Sequence, residues 1–473
     1  MSAPVESQAD SPPALSIWRA IWGSLRGAQQ DYTSAPLPRA IILLAVPMAL
    51  ELLMESTFGL VDIYFVGKLG PAAVATVGLT GSLIILVFGA AIGLSIAATA
   101  VVSRRIGEGD EEGAGLSAVQ AILAGVGFSV LVSIPGALFA SQMLTLMGGA
   151  PEVVAGSGYT AVLFGTSSVI FLIFLNNAIF RGAGDAALAM RALWLANALN
   201  MILDPCLIFG WGPFPEMGLV GAAWATTIGR GVGVAFQFWV LVSGNRRVKL
   251  GREQLRYDPE TMRRILRIAL TGTIQFTVGT AAWLGIMRIV AIFGETTLAG
   301  YTIAIRLIHF AILPAWGMSG AAATLVGQNL GAGHPERAER AVWLTGAYNC
   351  GVLALMGLIF WVGAPPMTAF FSDDPGVVAT GVEALRILSL GYVFYAWSMS
   401  FSQGFNGAGD SDTPTYINFG VSWVLQIPLA YVLARPLEMG PRGAYIASLI
   451  AGVAWALIGG LLFRRGKWKS RRV

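Results

Sequence analysis

Long apolar segments separated by short polar loops recur along the whole chain. About 20 apolar residues are needed to cross a bilayer as a helix, and twelve segments reach that length. They lie at 40–66, 73–103, 116–140, 152–180, 187–210, 218–243, 264–293, 297–327, 339–362, 377–405, 413–435 and 442–464. Loops rich in Gly, Pro or Asp separate them, as at 148–151 and 373–375. The pattern predicts an all-α integral membrane protein with twelve transmembrane helices.

Three pairs of segments show that the second half of the chain repeats the first. IGLSIAATAVVSRRIGEGD at 92–110 recurs as WGMSGAAATLVGQNLGAGH at 316–334, RGAGD at 181–185 as NGAGD at 406–410, and EMGLVGAAWA at 216–225 as EMGPRGAYIA at 438–447. The offset between the two copies is nearly constant across the three pairs. Since each half has an even number of spans, both halves enter the membrane from the same side. We therefore expect two six-helix lobes related by a pseudo-two-fold axis along the membrane normal.

The repeat divides the chain into an N-terminal lobe at 40–243 and a C-terminal lobe at 264–464. A basic linker at 244–263 joins the lobes, and a basic tail follows at 465–473. The segment at 1–39 is expected to form a cytoplasmic tail. Within this tail, the stretch at 11–26 has the pattern of an amphipathic helix that lies in the headgroup region. A disordered tail is the alternative.

Composition agrees with a membrane location, because only 12% of the residues are charged against about 25% in soluble proteins. The net charge of +4 does not indicate nucleic-acid binding, since the basic residues lie in loops between apolar spans. These loops, above all the linker and the tail, are richer in Lys and Arg than the loops on the other face. The positive-inside rule places both termini in the cytoplasm and the protein in the cell (inner) membrane.

Buried acids distinguish the N-terminal lobe. Glu51, Glu55 and Asp62 lie within about 40° of one another on the first predicted helix, and Asp204 lies in the fifth. The equivalent residues of the C-terminal lobe are neutral. They are Gln275, Gly279, Ile286 and Gln426. Because an acid at mid-membrane costs roughly 2.5–3.5 kcal/mol on insertion scales, these carboxyls are expected to be functional or well paired.

Carboxyl and amide oxygens together can hold Na⁺ or share a proton. The candidate cation-coupling residues are Asp62, Asn200, Asp204 and Glu55, and the first three would be the Na⁺ ligands. The candidate substrate-binding residues are Asn177, Asn197, Glu51, Asn176 and Tyr395. The alternative for Glu51 is a solvated position near the cytoplasmic end of its helix, and for Tyr395 it is ordinary helix packing.

The second half carries cations within its spans, namely Arg288, Arg306 and His309. The two arginines are expected to reach an interface or to pair with an acid such as Glu295. His309 is expected to be a satisfied core histidine rather than a titrating switch. The two cysteines, Cys206 and Cys350, lie in apolar segments and indicate neither a disulfide framework nor a metal site.

Several motifs resemble those of the MATE (multidrug and toxic compound extrusion) transporters. The first span reads P-x-x-x-E-x-x-x-E-S-T-F-G-L-V-D-x-x-F-V-G-K-L-G from Pro47, and NxxxDP at 200–205, RGAGD at 181–185 and VGQNLGAGHPERA at 326–338 also match. The resemblance, closest to the DinF-like branch, implies a twelve-helix exporter with a cation-coupling site in its N-terminal lobe. It places that site at Asp62, Asn177, Asn200 and Asp204.

Two positions depart from the pattern of this family. Glu55 stands where relatives commonly have a neutral amide, and the extra acid favours protons as the coupling ion. A hydroxyl of the sixth helix in some relatives has no clear counterpart, although Thr226 and Thr227 are nearby.

The sequence therefore predicts an antiporter that exports amphipathic organic cations or drugs in exchange for H⁺ or Na⁺ by rocking of two lobes. The alternative is a flippase or exporter of a lipid-linked or metabolite substrate. No motif of an enzyme, a nucleotide-binding domain or a channel filter is present. We expect no cofactor beyond the coupling ion, no nucleic-acid partner, and a monomer in contact with membrane lipid.

Overall fold

The structure is a computed structural model that describes residues 21–25, 27, 31–244 and 246–471. These residues form helices and loops, and no strand occurs among them. Most of the predicted amphipathic helix at 11–26 lies outside the described residues.

The N-terminal lobe contains six spans. They are α1 (Leu37–Gly67), α2 (Pro71–Gly107), α3 (Glu111–Leu138), α4 (Ser157–Gly165 and Ser167–Gly182), α5 (Ala186–Phe209) and α6 (Leu219–Val242). Two short helices, Ala140–Leu146 and Pro151–Ala155, connect α3 to α4.

The C-terminal lobe repeats this arrangement. Its spans are α7 (Pro259–Ala291), α8 (Glu295–Gly331), α9 (Pro335–Ala369), α10 (Pro375–Leu390 and Tyr392–Gly407), α11 (Asp412–Ala434) and α12 (Pro441–Arg464). A short 3₁₀ turn at Lys467–Ser470 follows. The bends of 46° in α4 and 52° in α10 occur at Thr166 and Gly391, which are equivalent positions of the repeat. The prediction of twelve membrane-spanning helices in two lobes is confirmed.

The helices extend beyond the apolar segments because polar caps continue them into water. The Asp110 side chain accepts a hydrogen bond from the Gly113 backbone N–H at the start of α3. Asp374 caps α10 in the same way. Asp258 caps α7, which begins at Pro259 inside the segment predicted as linker. Capping residues satisfy the free N–H groups of the first turn, so each helix can begin in a polar segment. Hydropathy alone therefore places the starts of these helices too late in the chain.

The backbones of the two lobes are in contact at one end of the bundle, which we call the basic end. This end carries the last turns of α2 and α8, the linker and the C-terminal tail. A Cβ on Gly107 would overlap a backbone oxygen of α8, and one on Gly331 would overlap a backbone oxygen of α2. The equivalent pair Gly93 and Gly317 approaches the backbones of α7 and α1 in the same way. Glycine is needed at these positions because the backbones themselves are in contact.

Hydrogen bonds between the lobes also lie at the basic end. Thr324 of α8 donates to the carbonyl oxygen of Arg181 at 3.0 Å, and Gln328 donates to that of Gly182 at 2.9 Å. Arg337 of α9 donates to the carbonyl of Ala35, just before α1. The structure is therefore closed at the basic end.

Two equivalent ion pairs hold the basic segments that follow each lobe. Arg246 of the linker lies 2.9 Å from Asp185, and Arg471 of the tail lies 2.9 Å from Asp410. Asp410 and Arg471 are the repeat equivalents of Asp185 and Arg246. Burial raises the pKa of the Asp185 carboxyl, and the adjacent Arg246 guanidinium opposes that rise.

We expect Gly331→Ala to weaken the closed basic end, because its Cβ would overlap the backbone oxygen of Arg104. Overpacking of this kind costs about 1–3 kcal/mol. Spin-label distances across the basic end should lengthen, and transport should fall. Gly452→Ala is the matched control, since a Cβ there meets nothing within 4 Å. Unchanged distances in Gly331→Ala would contradict the role of this contact.

Candidate functional site

The candidate site lies inside the N-terminal lobe, where α1, α4, α5 and α6 pack together. A Cβ on Gly229 of α6 would lie 2.6 Å from the backbone oxygen of Ala196 in α5. This close approach brings the polar stripe of α5 against α6. The stripe consists of Asn197, Asn200 and Asp204, each at most 1% exposed. The sequence-predicted acids of α1 therefore face an amide-rich interior.

Glu51 is buried and paired. Its Oε1 accepts hydrogen bonds from Asn177 Nδ2 at 2.8 Å and from Arg181 Nη1 at 2.9 Å. Gln237 of α6 donates to Asn177 Oδ1 at 2.6 Å and so fixes which way the amide points. With only 3% of its surface exposed, Glu51 does not occupy the solvated position considered as an alternative.

Glu55 is paired one turn further along α1. Its Oε2 accepts from Asn197 Nδ2 at 3.0 Å, and its Oε1 lies 2.7 Å from Arg230 Nη2. The Arg230 guanidinium also lies 5.6 Å from the ring centre of Phe58. The ion pair and the ring contact together hold a cation in the middle of α6.

Arg230 is the functional residue that the sequence interpretation missed. That interpretation named cations in the spans of the second half and Arg181 in the fourth span, but it named none in the sixth span, where Arg230 pairs with Glu55. The signal was available, because an arginine at the centre of a 24-residue span requires a buried partner. The partner could not be chosen from the sequence, because several acids share one face of α1.

Asp62 and Asp204 differ from the two glutamates because neither forms an ion pair with a cation of the described residues. Asp204 is fully buried, and neither of its carboxyl oxygens has a hydrogen-bond partner in that part of the chain. Asp62 is half-buried, and its Oδ1 is buried without a partner there. Asp62 lies within electrostatic range of Asp204 and also of the Arg230 guanidinium, and Tyr159 lies within range of both aspartates. We call Asp62 and Asp204 the aspartate pair.

Asn200 lies one turn before Asp204 and supplies further oxygen. Its Nδ2 donates to Thr226 Oγ1 at 3.0 Å, while its Oδ1 is buried without a partner among the described residues. Thr226 is thus a hydroxyl of α6 in contact with Asn200. Amide and hydroxyl oxygens thus lie close to the aspartate pair.

The C-terminal lobe builds the same contacts from neutral groups. Gln275 Nε2 donates to Ser402 Oγ at 3.0 Å, and these residues are the repeat equivalents of Glu51 and Asn177. Gln426, the equivalent of Asp204, donates to Ser448 Oγ at 3.1 Å. Since neutral side chains suffice for packing in one lobe, the acids of the other are not required by the fold.

Other sequence-predicted residues lie in different surroundings. Asn176 is fully buried, and both polar atoms of its amide lack partners among the described residues. Tyr395 lies in the C-terminal lobe, whereas the four buried acids lie in the N-terminal lobe, and it is 41% exposed. His309 was expected in the core but is exposed, with Nδ1 lying 3.0 Å from the Ile305 carbonyl oxygen. Arg288 and Arg306 are exposed, and neither forms an ion pair with an acid of the described residues.

The described residues contain no group of three or more His, Cys, Asp or Glu side chains placed to hold a metal ion. A Na⁺ ion at the aspartate pair would therefore need amide or hydroxyl oxygens as well, and Asn200 Oδ1 is a candidate of this kind. A proton needs only a carboxyl oxygen. The donor set fits either ion.

The chain matches the MatE family model over residues 47–206 and 273–432. It is 28% identical to "Probable multidrug resistance protein NorM" from Thermotoga maritima, covering 92% of this chain and 94% of that protein. It is 25% identical to "FAD transporter" from Shewanella oneidensis, over 89% of this chain and 94% of the other. A solved structure reported as the outward-facing conformation of a multidrug resistance MATE family transporter superposes with a TM-score of 0.86. That structure is 26% identical, with coverage of 92% and 96%.

We expect Glu55→Gln to destabilise the protein by about 3 kcal/mol, because removal of one partner leaves the buried Arg230 charge unpaired. Arg230→Gln should cost a similar amount. The double variant should recover much of the loss, since no uncompensated charge remains. Thermal unfolding of the four purified proteins in detergent gives the coupling energy. If the stability lost in the double variant equals the sum of the losses in the two single variants, the pair contributes no coupling energy.

Proposed function

This chain belongs to the MatE family of multidrug and toxic compound extrusion transporters, and from this premise we propose that it is a cation-coupled antiporter. The predictions of a MATE family member and of a transporter rather than an enzyme are confirmed, whereas the DinF-like branch stays a prediction. The proposed antiporter exports amphipathic organic cations, drugs or related small molecules in exchange for H⁺ or Na⁺. The observation that carries this proposal is the unpaired aspartate pair.

The charges of the N-terminal lobe support this assignment. Arg181 pairs with Glu51, and Arg230 pairs with Glu55. Asp62 and Asp204 then remain as two acids of the lobe interior without an ion pair of their own among the described residues. Two adjacent negative charges are costly in such a place unless a cation or a proton accompanies them. Uptake and release of one cation at this pair would couple an ion gradient to the conformation of the N-terminal lobe.

The four sequence-predicted coupling residues then divide by role. We assign cation binding to Asp62 and Asp204, with Asn200 supplying an amide oxygen. Glu55 was placed with them by the sequence, but its ion pair with Arg230 favours a positioning role. Asn197 donates to Glu55 in that group, while Glu51 and Asn177 form a second fixed group with Arg181. The Asn176 amide, which has no hydrogen-bond partner among the described residues, is proposed to bind substrate.

Alternating access would require the contacts of the basic end to open. The positive-inside rule places this end in the cytoplasm, together with both termini. The structure would then be closed to the cytoplasm. Rocking of the lobes would separate the symmetric glycine contacts at Gly107 and Gly331. A single chain contains both lobes, so we propose that a monomer transports.

A metabolite substrate is the second candidate. One relative is named an FAD transporter, and FAD carries negatively charged phosphates. Arg288 and Arg306 are exposed cations that could meet such an anion. Efflux assays with a panel of cationic dyes and of nucleotide cofactors, in the same proteoliposomes, distinguish the two substrate classes.

We expect Asp62→Asn and Asp204→Asn to abolish gradient-driven efflux of a cationic dye from right-side-out vesicles while the protein still folds. An amide cannot exchange a proton or balance Na⁺, so coupling is lost even where the substrate still binds. Glu295→Gln is the matched control, because it makes the same chemical change at an exposed acid of α8. Size-exclusion profiles confirm folding of each variant. Full efflux by either aspartate variant would reject the proposed function.

A further inference from the structure

A cavity of about 420 Å³ opens at the basic end of the C-terminal lobe, away from the aspartate pair. Helices α10, α11 and α12 and the turn after α12 surround it. Its lining residues are Phe405, Asp410, Thr413, Tyr416, Ile417, Leu462, Arg465, Lys467 and Trp468. We propose that this cavity binds the headgroup of an anionic phospholipid.

The cavity offers cations that the protein itself does not use. Neither the Arg465 nor the Lys467 side chain makes a hydrogen bond or an ion pair within the described part of the chain. Other cations of the same tail are occupied, since Lys469 lies 2.6 Å from Glu339 and Arg471 lies 2.9 Å from Asp410. Unpaired Lys and Arg side chains near a membrane surface attract the phosphate groups of lipids.

The one acid of the lining does not oppose an anion. Asp410 is 3% exposed, and its Oδ1 pairs with Arg471. Its Oδ2 accepts a hydrogen bond from Thr413 Oγ1 at 2.8 Å. Both carboxyl oxygens are thus occupied and their charge is balanced, so the free charge of the cavity is positive.

The surroundings favour a lipid over a soluble anion. The buried walls are apolar, formed by Ile417 and Trp468 among others. Tyr416 at the rim is 76% exposed, and Leu461, the neighbour of a lining residue on α12, is 63% exposed. An aromatic rim next to exposed aliphatic side chains is typical of the membrane interface. A headgroup in the cavity would leave its acyl chains along this apolar surface.

The repeat provides an internal comparison. The equivalent cleft of the N-terminal lobe is lined by Phe180 and Asp185, the counterparts of Phe405 and Asp410. Its volume is about 10 Å³, close to the smallest space that admits one water molecule. The linker itself also lines this cleft. The larger volume in the C-terminal lobe is therefore not a necessary result of the fold.

Native mass spectrometry of the full-length protein in detergent tests the proposal. We expect the wild type to bind one dioleoyl phosphatidylglycerol more tightly than phosphatidylcholine. Arg465→Gln/Lys467→Gln should weaken this binding roughly thirtyfold, because two headgroup contacts are lost. The matched control Arg340→Gln/Arg464→Gln removes the same charge from exposed sites of the basic end that do not line the cavity, and it should bind as the wild type does.

Leu462→Trp is a second variant that fills the cavity and keeps both cations, and it should also lose the tightly bound lipid. Equal binding of phosphatidylglycerol to the wild type and Arg465→Gln/Lys467→Gln would overturn the proposal. So would equal affinity for phosphatidylcholine, since the headgroup charge would then not be recognised. Displacement of the lipid by inorganic phosphate at equal concentration would identify a free anion as the ligand and would equally overturn it.

Discussion

Two electrostatically interacting acids in the interior of a lipid-embedded lobe are the constraint on which the proposed function depends. The interior of the N-terminal lobe holds four carboxyls, and the protein provides ion-pair partners for two of them. The glutamates lie against Arg181 and Arg230 and are fixed in place by amides. Asp62 and Asp204 have no such partner among the described residues, and in the proposed function a mobile cation balances their charge. The paired glutamates and the unpaired aspartates thus have different roles in the same interior.

The internal repeat separates what the fold requires from what transport requires. Equivalent bends, equivalent glycine contacts and equivalent Asp–Arg pairs occur in both lobes, so they belong to the shared architecture. The contact between Glu51 and Asn177 is matched by Gln275 and Ser402, which are neutral. A lobe of this fold can therefore be packed without acids at these positions. Retaining them in one lobe only is consistent with a chemical role confined to that lobe, and in the proposed mechanism the interface between the lobes would transmit the change in conformation.

The large-scale organisation could be predicted from the sequence because it depends on patterns. Hydropathy indicated the twelve spans, and the recurrence of RGAGD as NGAGD revealed the two lobes. The partner of each acid could not be predicted, because Arg230 reaches Glu55 from a helix far along the chain and only packing decides the match. The exposure of His309 was missed for the same reason. The cavity beside Arg465 depends on how the tail folds back, which a pattern of single residues does not encode.

The most direct test of the central claim is the number of cations released when substrate binds. A pH-sensitive dye, or a Na⁺ electrode, can follow the purified protein in weakly buffered detergent solution as a tightly bound cationic substrate is added. The account predicts release of about one H⁺ or one Na⁺ per protein molecule, and no release from an Asp62→Asn/Asp204→Asn variant that still binds the substrate. An unchanged release from that variant would show that the cation is held elsewhere.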